Sequence, residues 1–229
     1  MDINLIIDEA YELYMPQVRP EITELVRFIQ DQMQTEIDIC MGRDIEVSKP
    51  FNVLEIGTKY GGTFYIWNKL VQNHGEGMCI SIDMSDGGIH GGISDEEMNK
   101  RDLWFYERFD NCHFIRGNSH SSYTLSKFIS VLHKGEIFGP NSENLIDFLF
   151  IDGDHSYEGV KRDFLDYSPF VKPGGLVGFH DIVISDKHHK RNVYVGEFWN
   201  ELKESGKYET IEFAEPGNDW AGIGLIKMK

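Results

Sequence analysis

No apolar run in this chain approaches the ~20 residues that a membrane-spanning helix needs. Its first residues, MDINLIIDEAYELYMPQ, are acidic where a secretory leader is basic. A cytosolic protein is the default these absences leave. Basic residues are scarce too: 22 Lys and Arg stand against 38 Asp and Glu, a formal net charge of −16. No basic stripe offsets that surface, so it repels phosphate backbones, and neither nucleic acid nor anionic membrane is an expected partner. Solubility accounts for most of the acidity. Cysteine is rare, with Cys40, Cys79 and Cys112 scattered and no C-x-x-C spacing, which argues against redox or thiolate-metal roles. Cys79 and Cys112 lie in or beside apolar runs and read as buried free thiols. Internal repeats and low-complexity tracts are absent as well.

What remains is an ordinary globular composition, 41% hydrophobic and 26% charged over 229 residues. That length suits a single α/β domain with a substantial core. Residues 2–34 carry apolar positions at helical spacing, and Pro16 and Pro20 divide them into two helices. Lys49-Pro50 then marks a boundary, because the residue before proline is pushed out of helical geometry. We read 1–48 as a helical extension offering lid, substrate or oligomer contacts, and 49–229 as the main domain.

From residue 51 strands and helices alternate. Phe51–Ile56, Met78–Ile82, Cys112–Ile115, Ile146–Ile151 and Leu176–Phe179 read as strands. Helices are expected over 62–71, 94–109, 120–133, 157–167 and 193–202, and Lys172-Pro173-Gly174-Gly175 as a turn. Two final strands, Tyr208–Phe213 and Gly222–Ile226, suggest an antiparallel hairpin at one edge. Continuous apolar strands in repeated β-α units argue for a parallel sheet covered on both faces. Ligands in such sheets bind beyond the carboxyl ends of the strands. The residues found there are Gly57, Asp83, Asn118, Asp152, His180 and Asp181, nearly all polar or glycine.

The strongest local motif is Leu54-Glu55-Ile56-Gly57-Thr58-Lys59-Tyr60-Gly61-Gly62-Thr63. Its glycines let backbone approach a ligand. The spacing is not the G-x-G-x-x-G of a dinucleotide site, and a carboxylate at Glu55 repels pyrophosphate but suits a ligand with an ammonium group. S-adenosylmethionine has one and carries no phosphate. Asp83 can accept from ribose hydroxyls, a feature NAD sites share. Asn118 and Ser119, by position, fall on the adenine side. A glycine turn without a ligand stands as the bland alternative.

The run ENLIDFLFIDGDHSYEGVKRDF followed by KPGGLVGFHD, with Gly87-Gly88 and Gly91-Gly92 after Ser81-Ile82-Asp83, resembles class I S-adenosylmethionine-dependent methyltransferases. The similar group is the one that includes cephalosporin-hydroxylase-like and macrolide-sugar O-methyltransferases. The resemblance covers roughly residues 50–185 and implies a Rossmann-like α/β fold. Its seven-stranded, mostly parallel sheet would run 3-2-1-4-5-7-6, with helices on both faces. It further implies S-adenosylmethionine as donor, often a divalent cation (magnesium or manganese), a small-molecule or carbohydrate acceptor, and assembly into homo-oligomers. Carried over by position, Asp152, His180 and Asp181 are the metal ligands. His180 departs from the usual oxygen ligand, and imidazole suits manganese, iron or zinc better than magnesium. Asp154 matches an aspartate near the donor's amino group. His155, three residues past Asp152, is the candidate general base: an imidazole titrates near neutrality, and a histidine at this spacing takes the acceptor proton in the similar sugar enzymes.

Other readings stay open. Asp152 and Asp154 could cap the helix beginning near Tyr157. A metal-free enzyme could rely on His155 alone, or methylate nitrogen. An accessory subunit could bind donor without transferring methyl. His188-His189-Lys190-Arg191 reads as a solvated loop, His90 as a residue within reach of the acceptor, and Trp67, Trp104 and Trp199 as core. The loops 84–93, 135–143 and 182–192 would choose the acceptor.

Overall fold

The structure is a computed structural model that describes residues 1–41, 49–86, 91–134 and 146–229. His90, Gly87, Gly88 and the 135–143 loop lie outside the described residues. Two helices open the chain, α1 (Ile3–Glu12) and α2 (Arg19–Met41). The Asp2 side chain caps α1 by accepting from the amides of Asn4 and Leu5. Pro20 sits in the first turn of α2, where its missing N–H removes no helical bond.

Five β-α repeats follow. Strands β1 (Val53–Ile56), β2 (Cys79–Asp83), β3 (Cys112–Arg116), β4 (Ile146–Ile151) and β5 (Val171–His180) alternate with α3 (Gly62–His74), α4 (Asp95–Tyr106), α5 (Ser122–Lys134) and α6 (Tyr157–Tyr167). A short helix α7 (Asp186–His189), then α8 (Val195–Glu204), β6 (Glu209–Phe213) and β7 (Ile223–Lys227) complete the fold. The strands order as β3-β2-β1-β4-β5-β7-β6. Strands β1 to β5 pair in parallel, whereas β7 runs antiparallel between β5 and β6. This is the order that the resemblance implied.

Strand alternation builds two cores. Val53, Phe148, Phe150 and Leu176 face the side of α1, α2 and α3, while Leu54, Leu149, Ile151 and Val177 face α5, α6 and α8. Trp67 and Trp199 are fully buried, one on each face, and Trp104 is partly buried against the first. Cys79 and Cys112 are buried free thiols. Two expectations shift in extent. The Lys172–Gly175 turn is absorbed into β5, with a register shift against β4 between Ile146 and Phe148. The helix expected from residue 94 ends at Tyr106, started by a reciprocal cap between Ser94 and Glu97. Among the described residues no helix is long and apolar enough to cross a membrane.

The strand order reverses between β1 and β4. In open α/β sheets ligands bind at such a switch point, outside the carboxyl ends of the strands, and the candidate residues gather there.

Candidate active site

Gly57 follows β1 at φ +88, and a Cβ there would sit 2.1 Å from the Asp152 carbonyl oxygen. Only glycine lets the turns after β1 and β4 meet this closely. The other two glycines of the motif serve packing. A Cβ on Gly61 would strike the Phe105 ring at 2.7 Å. One on Gly62 would lie 2.7 Å from the Met15 Cβ and 2.9 Å from the Ala10 and Tyr14 carbonyl oxygens, beneath α1. Thr58 bonds Ser81 through their hydroxyls at 2.7 Å and is buried.

Glu55 departs from its expected role. Period two puts it on the same face as Val53, under α3, and it is fully buried. Its carboxyl accepts from Thr63 Oγ1 at 3.1 Å and Trp67 Nε1 at 2.5 Å. Burial, reinforced by the charge of Asp152, pushes its pKa up to about 8. At neutral pH it is mostly uncharged and turned inward, so it anchors the start of α3 and offers no anion to an ammonium group. Thr63 shares that inward bond.

Asp83 ends β2 in an ion pair with Arg101, 2.6 Å from Nη1, with both side chains largely buried. Its Oδ2 also accepts from the Lys59 amide and its Oδ1 from the Met84 amide, each at 2.9 Å. Oδ2 is thus committed to the glycine-rich turn and to α4, and Oδ1 retains capacity for a further donor. After β3, Asn118 is exposed and accepts from the His120 amide, and the half-buried Ser119 receives the Tyr167 hydroxyl on its carbonyl at 2.8 Å. Asp154 is exposed and closes a turn onto the Ser156 amide, while Ser156 itself caps α6. The helix cap anticipated for Asp152 or Asp154 is therefore supplied by Ser156.

The residues after β4 and β5 converge. His155 Nδ1 lies 2.8 Å from Asp181 Oδ2, and its Nε2 lies 3.8 Å from Asp152 Oδ1. His180 Nδ1 is 3.1 Å from Asp152 Oδ1 and 3.4 Å from Asp181 Oδ1. One ligand atom from each of Asp152, His155 and Asp181 lies within 4.8 Å of the others. The trio that gathers this way contains His155, whereas the resemblance pointed to His180; the latter imidazole instead braces the two carboxylates. Asp181 holds a positive φ of 63°, costly for a side-chain-bearing residue and characteristic of functional turns.

Charge follows geometry. Burial opposes a proton on His180, but the charges of Asp181 and Asp152 outweigh it and raise its pKa to about 9. His155 is raised as well, against burial, by its bond to Asp181 and the charge of Asp152. Asp181 is held far below the ordinary carboxylate value: burial works against its charge, and the charges and bonds of the histidines win.

Two participants had no signal in the sequence. Gln17, between α1 and α2, is buried and donates from Nε2 to Asp152 Oδ2 at 2.8 Å. His188 is also buried, its Nδ1 2.6 Å from the Val183 carbonyl oxygen and its Nε2 accepting from the Ala221 amide. The expected solvated stretch 188–191 is thus corrected at its first residue, which sits 3.6 Å from Asp181 Oδ1 and packs on Trp220.

The donor set suits a hard or borderline cation. Carboxylates and an imidazole converge, and the buried atoms Asp181 Oδ1 and His180 Nε2 have no hydrogen-bond partner. What the arrangement offers chemically is a histidine oriented by a carboxylate beside a second carboxylate, at the ligand edge of the sheet.

A family model described as a methyltransferase domain matches residues 54–182. The uncharacterized protein y4gI of Sinorhizobium fredii is 26% identical over 161 residues, 69% of this chain and 16% of that protein. An uncharacterized protein of Acanthamoeba polyphaga mimivirus is 30% identical over 131 residues, 56% of this chain and 50% of that protein. The chain therefore spans half or less of the length of these curated relatives. Among solved structures, cofactor-bound Rv0187 from MTB superposes with a TM-score of 0.59 at 13% identity, covering 99% of this chain and 87% of that one. The O-methyltransferase from Bacillus cereus in complex with SAH gives 0.53 at 15% identity, covering 99% and 90%. At such identities these likenesses speak for the fold, and the family match speaks for the lineage. Fold and family match agree: the chain belongs to the methyltransferase-domain family, with the class I architecture of S-adenosylmethionine-dependent methyltransferases.

Proposed function

We propose that this protein transfers the methyl group of S-adenosylmethionine to a hydroxyl of a small molecule or carbohydrate, with His155 as general base. The observation that carries the reading is the 2.8 Å contact between His155 Nδ1 and Asp181 Oδ2 at the ends of β4 and β5. An ionised carboxylate only accepts, so Nδ1 carries the hydrogen and Nε2 is the basic nitrogen. Methyl transfer from a sulfonium is an in-line displacement, and a neutral hydroxyl is a weak nucleophile until its proton leaves. The His155 Nε2 takes that proton, the hydroxyl oxygen bonds to the methyl carbon, the carbon–sulfur bond breaks, and S-adenosylhomocysteine departs with its sulfur neutral. The Tyr194 amide bonds the His155 carbonyl oxygen at 2.7 Å and fixes the loop carrying the base.

Asp152 and Asp181 are the residues that would hold a divalent cation, which would lower the pKa of a hydroxyl bound beside it. A single Nε2 cannot both ligate and accept a proton, so we assign His155 to the base and the cation to the aspartates. A metal-free reading also has an observation in its favour, because His180 lies within 3.4 Å of both carboxylates and supplies positive charge between them. Calorimetry with S-adenosylhomocysteine and with manganese, and turnover of a hydroxyl-acceptor panel with and without EDTA, test both. The methyltransferase reading predicts heat from S-adenosylhomocysteine and loses its footing if there is none. EDTA-resistant turnover would favour the metal-free form.

A further inference from the structure

Outside the catalytic cluster, a second fully buried carboxylate besides Glu55 has no part in the chemistry above. Asp163 lies on α6 and has no solvent exposure. Its Oδ1 is 3.2 Å from His120 Nε2, and its Oδ2 would lie 3.3 Å from a Cβ on Gly153. It therefore sits beneath two turns at once, the one after β3 and the one after β4. Neighbouring residues of α6 grip the first of these turns as well. Tyr167 donates its hydroxyl to the Ser119 carbonyl oxygen at 2.8 Å, and Arg162 Nη2 donates to the His120 carbonyl oxygen at 2.8 Å. Three side chains of one helix thus hold residues 119 and 120.

An isolated buried carboxylate is costly, and a partner that bears positive charge is what makes it tolerable. A core helix could bond this turn with neutral groups alone, as Tyr167 does. The His120–Asp163 pair adds an ion-pair contact without hydrogen-bond geometry, whose strength depends on the proton the imidazole carries, at the sheet edge where the donor's base would lie.

We propose that His120 and Asp163 are a positioning pair for the donor pocket, locking the turn after β3 against the turn after β4 so that the adenosyl end of the donor meets a preformed edge. The inference rests on the methyltransferase reading and extends it to regulation of donor affinity. The groups facing the pair are Arg162, Asp154, Ser119 and Tyr167. The adjacent Asp163 carboxylate raises the His120 pKa above the ordinary 6.5, and burial raises Asp163. The positive charge of His120 is lost as pH rises through its raised pKa.

The test is calorimetric titration of the intact protein with S-adenosylhomocysteine between pH 6 and 9. For the wild type, affinity should fall as pH rises past the His120 value. Asp163→Asn should weaken binding about tenfold at pH 6.5, the loss of one buried ion-pair contact, and flatten the pH profile. His120→Gln should give a similar loss, and the double variant no more than either alone, since the two act as one unit. Tyr167→Phe, which keeps the pair, should preserve the pH profile. If Asp163→Asn fails to fold, His120→Gln, at a partly exposed turn residue, carries the test. Single losses that add, or a flat wild-type profile, would overturn the inference while leaving the methyltransferase reading intact. Absence of any binding by the wild type would remove both.

Discussion

At the scale of single residues, the same chemical group does opposite work according to what surrounds it. Asp181 stays charged because histidines face it, while Glu55 gives up its charge because its partners are a threonine, a tryptophan and apolar walls. The Glu55 proton has a consequence for stability. Its folded pKa of about 8 lies above the ordinary 4.5, so the folded state holds a proton that the unfolded state releases. Stability therefore falls as pH rises from about 4.5 through 8, by at most about 1.4 kcal/mol per pH unit from this group. Glu55→Gln keeps the shape and removes the titration. Its urea midpoint should decline less than that of the wild type across this window; parallel declines would mean that Glu55 is ionised in the fold. His155 makes the complementary prediction. His155→Ala should lower kcat by about 10²–10⁴-fold, the usual worth of a positioned base, and leave S-adenosylhomocysteine affinity within about twofold. A matching loss of affinity would recast the residue as a donor contact.

At the scale of elements, strand ends were legible and strand faces were read incompletely. Each apolar run closed by a polar residue marked a carboxyl end, which is why Asp83, Asp152, His180 and Asp181 could be named without a structure. At Glu55 strand parity overrides charge: two residues from Val53, it points under α3, where Trp67 waits with a ring N–H. The glycine-rich turn shows a related confusion. Glycines at 61 and 62 suggest close approach to a ligand, yet the atoms that crowd them belong to α4, to α1 and to the turn after α1. Propensity and packing then disagree in sign at Gly62, in the first turn of α3. Alanine in a helix is ordinarily better than glycine by about 1 kcal/mol, whereas a methyl placed 2.9 Å from two α1-side carbonyl oxygens overpacks by about 1–3 kcal/mol. Backbone cannot rotate away, so packing should win. Gly62→Ala should lose about 1–2 kcal/mol in chemical denaturation, and a gain would show that α1 is loosely held.

At the scale of the whole molecule, the first helices decide where the domain begins. The pre-proline break at Lys49-Pro50 divides the sequence into an extension and a main domain, but the packing does not respect it. Ile6, Ile7, Ile22, Leu25, Val26 and Ile29 share one cluster with Val53 and Phe148 of the sheet and Phe64 and Trp67 of α3. Glu21 accepts from the Gly222 amide at 2.9 Å and the Glu215 amide at 3.2 Å, tying α2 to the far end of the chain. Gln17 reaches Asp152 itself. None of this was visible in the sequence, because helical periodicity says that a face is buried and is silent about its partner. Burying one large aliphatic side chain contributes about 1.5–3 kcal/mol, so six of them are comparable to the about 5–15 kcal/mol that separates a domain from its unfolded state. A chain starting at residue 49 should therefore fail to give a cooperative thermal transition and should bind hydrophobic dye. Adding residues 1–41 back as a separate peptide should restore part of the transition only if the two pieces associate. A sharp melt and unchanged S-adenosylhomocysteine affinity in the shortened chain would instead make the first helices a dispensable cover, and would release Gln17 from any place in the site.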